Sequence, residues 1–383
     1  KIKKDMDTEM KNIQICEKFT KPPMRFNEAS LIKKELLNIT EEILDSGNYI
    51  LGKYLNSFED SFANYVGTKY ALGVGNGSDA LTLILKSLNI KEGDEVICPA
   101  NSFIASAWSI VAAGAKPVFC DVEDDLLISL TNIKKVITKK TKAVIAVHLT
   151  GRTCDLVEIN DFCNDREIYV IEDAAQAVGA RCSIGNVGSL GIAAGFSLHP
   201  LKNLSVYGDG GVLTTNNKEI YEKARLLRNH GLKDRDNCEI WGLNTRLDEL
   251  QAAYAFIKMR YIEEWTNKHI SIAKNYSLGL NKSIDKPIIR KDYRDVYHNY
   301  IIKVNPIQRE KFIKELIDCG VETKIHYPIP IHLQRCSREL SYTKGSIPNC
   351  EKLCNSIVSL PIYHTLNKDE INFVIDSVNT VYE

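Results

Sequence analysis

Three polar clusters, each set after a short apolar run, carry the residue types from which a cofactor site can be built. In the first, Gly73-Val-Gly-Asn-Gly-Ser78-Asp79-Ala-Leu81 opens a helical stretch that continues through Leu83, Leu85 and Leu88. Glycines let backbone amides turn toward a guest and a helix N-terminus adds partial positive charge, which outlines a phosphate cradle. The segment lacks the Gly-Lys-Ser/Thr of a P-loop and the GxGxxG spacing of a dinucleotide site, and a tight turn capped by Ser or Asp explains it equally well. In the second, the apolar strand Tyr169-Val-Ile-Glu-Asp173-Ala-Ala-Gln176 delivers an acid at its end. Such a carboxylate can pair with a protonated pyridine nitrogen, or simply cap a helix. In the third, Lys202 stands on a loop after Ser197-Leu-His199-Pro-Leu and before Gly208-Asp-Gly-Gly211. A lone lysine is ordinarily a solvated surface residue. Here Ser197 offers a hydroxyl at a strand end and the later glycines make room for a flat ligand, so the three clusters agree on one cofactor.

The elements that must position these residues are legible as short apolar runs alternating with helical stretches. Tyr70–Val74, Glu95–Cys98, Pro117–Asp121, Ala143–His148, Tyr169–Glu172, Ala193–Leu198 and Gly211–Thr215 read as strands without clean alternation, which suits strands buried on both faces. An α/β fold follows, with a mostly parallel central sheet covered by helices, whose ligands lie beyond the carboxyl ends of the strands. From Arg246 the three- and four-residue spacing of Leu247, Leu250, Tyr254, Ile257, Tyr261 and Trp265 predicts one long helix leaving the large domain. A strand at Tyr300–Val304 and a helix over Gln308–Cys319, stopped by Gly320, predict a smaller α+β unit. The boundary falls near Trp265, giving residues 1–264 as the large domain with its N-terminal segment, and 265–383 as the small one. The first twenty or so residues read as partly loose.

Composition narrows the classes. Across 383 residues Lys+Arg and Asp+Glu both number 49, so no net field draws the chain to nucleic acid or to an anionic membrane. Any phosphate must be held locally. The N-terminal residues lack the apolar core of a signal peptide, and no run of about 18 apolar residues occurs, so a cytoplasmic protein is expected. The eleven cysteines include no CxxC pair. Cys350 and Cys354 have no matching His or Cys pair nearby, which makes them buried small apolar groups rather than zinc ligands, and no metal is expected.

An ordered series of segments resembles the DegT/DnrJ/StrS family of sugar aminotransferases over roughly Ser46 to Val374. It comprises Ser46-Gly-Asn-Tyr-Ile-Leu-Gly52, Phe58-Glu59, Gly77-Ser-Asp-Ala-Leu81, Pro99-Ala-Asn-Ser-Phe103, Glu172-Asp-Ala-Ala-Gln176, Lys202-Asn-Leu204 and Gly208-Asp-Gly-Gly211. It continues with Asn244-Thr-Arg-Leu-Asp-Glu-Leu-Gln-Ala-Ala253, His326-Tyr-Pro328 and Ser359-Leu-Pro361. The resemblance implies the aspartate-aminotransferase-like fold (PLP fold type I) and pyridoxal 5′-phosphate (PLP) as cofactor. Lys202 would hold PLP as a Schiff base and then shuttle a proton, since a lysine gains reactivity when burial or a neighbouring cation lowers its pKa. Asp173 would face the pyridine nitrogen, Gln176 the ring's 3-hydroxyl, and Phe103 a ring face. The amides of Ser78 and Asp79 and the Ser197 hydroxyl would hold the phosphate, with Asn244 reaching in from a second subunit of a homodimer.

Glutamate as donor and a nucleotide-linked keto sugar as acceptor are implied in the same way. The Ser197-Leu-His-Pro-Leu-Lys202 and Arg228-Asn-His-Gly-Leu232 segments resemble members that act on dTDP-3-keto-6-deoxyhexoses in surface-glycan biosynthesis. His199 could face the sugar or only bond the local backbone. His326, Tyr327 and His332 would cover the nucleotide sugar, or else belong to a Pro-rich turn through Pro328 and Pro330. A C4 aminotransferase making a viosamine-type product, a dehydratase on the same scaffold, and a non-catalytic sensory or scaffold protein are the competing readings. Lys202 speaks against the dehydratase, because relatives of that kind carry histidine there.

Overall fold

The computed structural model describes residues 30–382, so the N-terminal residues read as partly loose lie outside it. All seven expected runs form strands, with ends displaced by at most two residues: β1 (Tyr70–Val74), β2 (Glu95–Pro99), β3 (Lys116–Cys120), β4 (Thr141–Val147), β5 (Tyr169–Asp173), β8 (Ala193–Ser197) and β9 (Gly211–Thr215). A two-stranded hairpin of β6 (Arg181–Cys182) and β7 (Gly185–Asn186) lies between β5 and β8. The seven form one sheet in the order β1-β9-β8-β5-β4-β2-β3. Only β9 runs against its neighbours; the other six share a direction. Crossover helices such as Gly77–Ser87 and Ile104–Ala112 cover it, and strand residues such as Leu72, Ile97, Val144, Ile171 and Leu213 are fully buried. That burial on both faces is why the strands read as continuous apolar runs.

The register sets the site. Gly211 opposes Val74 on one side and Ser197 on the other, while Asp173 opposes Gly195. The carboxyl ends of β1, β8 and β5, which carry all three polar clusters, therefore meet along one edge of the sheet.

One expected element is corrected. Residues 244–248 are not helical: Asn244, Arg246 and Asp248 make isolated bridges to Asn229, Val74 and Ile50. The apolar stripe is then carried by two helices, Glu249–Met259 and Ile262–Gly279, separated at Arg260 and Tyr261. The periodicity survives the break because residues of both helices, among them Ala252, Ala255 and Ile262, pack into the same cluster with Phe58 and Phe196. At the start of the first of these helices, the buried Glu249 carboxylate serves the N-terminus of the helix Lys53–Val66, accepting the amides of Gly52 (3.0 Å), Tyr54 (2.6 Å) and Leu55 (3.2 Å).

Toward the C-terminus, β10 (Tyr300–Lys303) pairs antiparallel with β11 (Ile357–Leu360), flanked by helices Arg309–Asp318, Pro348–Ser356 and Lys368–Tyr382. Tyr276, Tyr300, Ile302, Leu316, Val358 and Val378 build a separate core there. Cys350 and Cys354 are buried thiols on one helix of the main core. Among the described residues no helix is long and apolar enough to cross a membrane, and no cluster of three His, Cys, Asp or Glu is placed to hold a metal.

Candidate active site

The phosphate cradle starts where β1 ends. Asn76 caps the helix Gly77–Ser87, its Oδ1 accepting the Asp79 amide at 2.9 Å. The Asp79 amide, expected to face a phosphate, is thus engaged by the cap. The amides of Gly77 and Ser78 are the first-turn donors left for a guest, since the first turn of any helix has no intrahelical acceptor for them. Asp79 also accepts the Thr245 hydroxyl at 2.5 Å and the Asn76 side-chain amide at 2.9 Å, while Thr245 Oγ1 accepts the Gly75 amide at 3.1 Å. Gly77 lies so close to Ser197 that a Cβ on it would stand 2.9 Å from the serine Cβ. A Cβ on Gly211 would stand 2.4 Å from the Asn76 carbonyl. These two glycines let the helix N-terminus and the Ser197 hydroxyl converge on one point.

Asp173 closes β5 and is buried. Its Oδ2 accepts the Ser106 hydroxyl at 2.6 Å and its Oδ1 the Ala175 amide at 3.2 Å. The adjacent Glu172 is wholly buried and points the other way, accepting the amides of Gly188, Leu190 and Gly191, each at 2.8 Å. His148 meets the same carboxylate at 2.9 Å through Nε2 and accepts the Cys154 amide at Nδ1, also at 2.9 Å. Gln176 accepts the Thr150 amide at 2.6 Å and donates to the Tyr327 hydroxyl at 3.4 Å. The Tyr327 ring packs 5.6 Å from that of Phe103, which heads the helix Ile104–Ala112 and is 55% exposed. Burial first, then the nearby Asp173, pushes the Tyr327 phenol up to about 12, so it stays protonated.

Lys202 sits on a turn closed by its own amide to the His199 carbonyl (2.8 Å). His199 Nδ1 accepts the Leu201 amide (3.2 Å) and its amide donates to Ser197 Oγ (3.3 Å), so at least one ring nitrogen serves the loop. Asn203 fastens the loop to the segment leading into β10, donating to the Val296 carbonyl (3.2 Å) and meeting His298 (3.3 Å). His326 bonds Ser359 Oγ (2.9 Å); burial, then the charges of Lys202 and Lys324, hold its imidazole down at about 4. Lys202, Asp173, Gln176, Ser197, Phe103, His326 and Tyr327 are thereby gathered at one end of the sheet.

His332 is not. The chain turns away after Pro330 into the short helix Ile331–Leu333 and buries His332 against Phe119 and Tyr342, with Nε2 on Glu351 at 3.0 Å. It is a core histidine rather than a substrate contact. Arg228, which belongs to a motif read as a mark of substrate class, is likewise buried, paired with Glu59 (2.5 Å) and the Gly73 carbonyl (2.8 Å).

With this geometry in view, similarity to known proteins is decisive. The sequence profile described as the DegT/DnrJ/EryC1/StrS aminotransferase family matches residues 30–379. The chain belongs to this family. It is 42% identical over 351 residues to the dTDP-3-amino-3,6-dideoxy-alpha-D-galactopyranose transaminase of Aneurinibacillus thermoaerophilus, covering 91% of this chain and 95% of the relative. The structure of DesV from S. venezuelae, in complex with a ketimine intermediate, superposes with a TM-score of 0.89 at 35% identity over 92% of this chain and 95% of that one. The Bacillus subtilis protein NtdA, with bound cofactor PMP, gives a TM-score of 0.89 at 30% identity over 95% of this chain and 85% of that one. As a family member the chain is a PLP-dependent aminotransferase. Its site residues fit that cofactor: a helix N-terminus abutting a serine hydroxyl for the phosphate, a buried acid for the ring nitrogen, an exposed aromatic face and a loop lysine.

In this aminotransferase Ser106, Thr150, Thr245 and Glu172 support the site without having been singled out as site residues. None of the four is marked by its local spacing; Glu172 alone stands in a segment already singled out, Glu172-Asp-Ala-Ala-Gln176.

Proposed function

We propose that this aminotransferase moves the amino group of glutamate onto C3 of a dTDP-linked 3-keto-6-deoxyhexose, in the cytoplasm, as a homodimer. The observation that carries the proposal is the gathering of Lys202, Asp173, Gln176, Ser197 and Phe103 at the carboxyl ends of β2, β5 and β8 in a chain 42% identical to a dTDP-3-amino sugar transaminase. PLP, when bound, supplies a carbonyl for amine exchange and a ring that stores electrons. Lys202 is the attachment point; its Nζ, once released, carries the proton between the donor's α-carbon and C4′ of the cofactor. Asp173 holds the proton at the ring nitrogen, Gln176 lies by the 3-hydroxyl, and Phe103 covers one ring face against water. Ser197 and the first-turn amides of the helix Gly77–Ser87 bind the phosphate, completed by Asn244 of the second subunit. His326 and Tyr327, and His199 where its ring reaches past the loop, border the sugar.

The division into residues 1–264 and 265–383 belongs to the same reading. Ile272 and Tyr276 join the separate core around β10 and β11, which supports it, whereas Trp265 still packs with Ile32, Leu36 and Ile257, and Ile331, Ile347, Cys350, Leu353 and Cys354 pack back into the core of the large sheet.

The test incubates the protein with PLP, glutamate and a panel of 3-keto and 4-keto nucleotide sugars, and locates the new amine by NMR. Amination at C3 of a dTDP sugar is expected. An amine at C4 with no turnover of 3-keto substrates would refute the substrate assignment. Borohydride reduction followed by peptide mapping is expected to find the cofactor on Lys202, and label on another lysine would remove that residue from its role.

A further inference from the structure

We propose that Ser106 is a positioning residue for the cofactor ring, acting through Asp173. Its hydroxyl, wholly buried, donates to Asp173 Oδ2 at 2.6 Å. That length is typical of a hydroxyl bound to an ionised carboxylate. A second donor, the Ala175 amide, reaches Oδ1 at the longer distance of 3.2 Å. A carboxylate buried to this degree is costly unless its oxygens are paired, so the Ser106 hydroxyl both satisfies Oδ2 and sets the plane of the acid.

The placement of Ser106 gives it a second role. It occupies the first turn of the helix Ile104–Ala112, where its amide donates to the Phe103 carbonyl (3.3 Å) and its own carbonyl accepts the Ser109 hydroxyl (2.9 Å). Phe103, with extended backbone, is the N-cap of that helix, and Ser106 lies three residues further on in its first turn. One turn of one helix therefore sets both the aromatic group for the ring face and the donor that aims the acid at the ring edge. A shift of this turn would move both together.

The inference rests on the reading of Asp173 as the partner of the ring nitrogen. An ionised Asp173 keeps the shared proton on that nitrogen, which strengthens the ring as an electron sink. Loss of the Ser106 hydroxyl lets the proton drift toward the acid and leaves less positive charge on the ring.

The experiment uses the PLP-loaded enzyme and three variants, Ser106→Ala, Ser106→Thr and Asp173→Asn. For Ser106→Ala the pH midpoint of the cofactor's visible band is expected to move upward, because a less positive ring withdraws less charge from the linked nitrogen. PLP affinity is expected to weaken about tenfold and kcat to fall by a similar factor, with the KM for glutamate nearly unchanged. Ser106→Thr, which keeps a hydroxyl, is expected to restore the midpoint. If Ser106→Ala does not fold, Ser106→Cys is measured in its place, since a thiol preserves packing and is a weak donor. A band midpoint and PLP affinity equal to wild type, with only a lower melting temperature, would overturn the proposal. Asp173→Asn separates the two readings. If it moves the band and Ser106→Ala does not, the inference about Ser106 alone fails; if neither moves it, the role given to Asp173 fails as well.

Discussion

At the scale of single residues, charge state here is governed by burial more than by pairing. The His326 imidazole titrates at about 4 in the fold because of burial, then Lys202 and Lys324, against an ordinary value of 6.5. The unfolded chain therefore binds this proton before the folded one does, and stability drains as pH falls from 6.5 toward 4. His326→Gln, which keeps a polar group near Ser359, is expected to narrow the difference in urea midpoint between pH 7 and pH 4.5. An unchanged difference would show that His326 does not contribute. Pairing dominates at Glu172, whose buried carboxyl group is met by three backbone amides and a histidine. Glu172→Leu leaves those donors unpaired and is expected to cost about 3–5 kcal/mol in urea unfolding, whereas Glu172→Gln, which retains one acceptor oxygen, is expected to cost less.

At the scale of elements, the site depends on how closely two pieces of backbone approach. Gly211 sits between Val74 and Ser197 in the sheet, and its missing Cβ leaves room for the Asn76 carbonyl. Gly211→Ala is expected to push the cap of the helix Gly77–Ser87 away from Ser197 and to raise the PLP dissociation constant about tenfold or more, as a displacement near 1 Å is enough for such losses. Gly93→Ala, at a positive-φ turn with nothing within 4 Å, serves as the control. It is expected to lower stability by about 1 kcal/mol and leave PLP affinity alone. If both substitutions weaken PLP equally, close approach at Gly211 is not the cause. This dependence on backbone approach also explains what the sequence could disclose. Lys202, Asp173, Gln176, Ser197 and Phe103 were legible because each follows an apolar run whose strand or helix start could be read locally. Ser106 and Thr245 were not, since serine and threonine occur everywhere and gain meaning only when another element is brought to them. His332 was misread because nothing around Pro330 reveals that the chain turns inward. The break at Arg260 was hidden by an apolar stripe that both helices share.

At the scale of the whole molecule, the surface around Asn244 is unlike that of a protein that works alone. Trp241 is 97% exposed, Leu243 and Asn244 are exposed beside it, and Leu201, next to Lys202, is 64% exposed. Apolar groups of this size on extended segments near a site fit a face covered by a second copy, with the same patch used on both sides of a two-fold axis. The extended conformation of residues 244–248 bears on the argument: pinned to Asn229, Val74 and Ile50, the segment presents Asn244 outward, where a helix would have rotated it differently. In the proposed dimer a subunit contributes Lys202 to one site and Asn244 to the other. Sedimentation is expected to find a dimer, and Asn244→Leu to weaken PLP retention. The decisive measurement mixes two defective chains, Asn244→Leu and Lys202→Ala, by co-expression. Each mixed dimer carries one site with both residues intact and one site lacking both. Random pairing makes half the dimers mixed, so roughly a quarter of wild-type activity is expected from a mixture of chains that are each nearly inactive. Activity no greater than that of the separate variants would mean that each subunit completes its own site, and would move the role of Asn244 out of the partner's phosphate pocket.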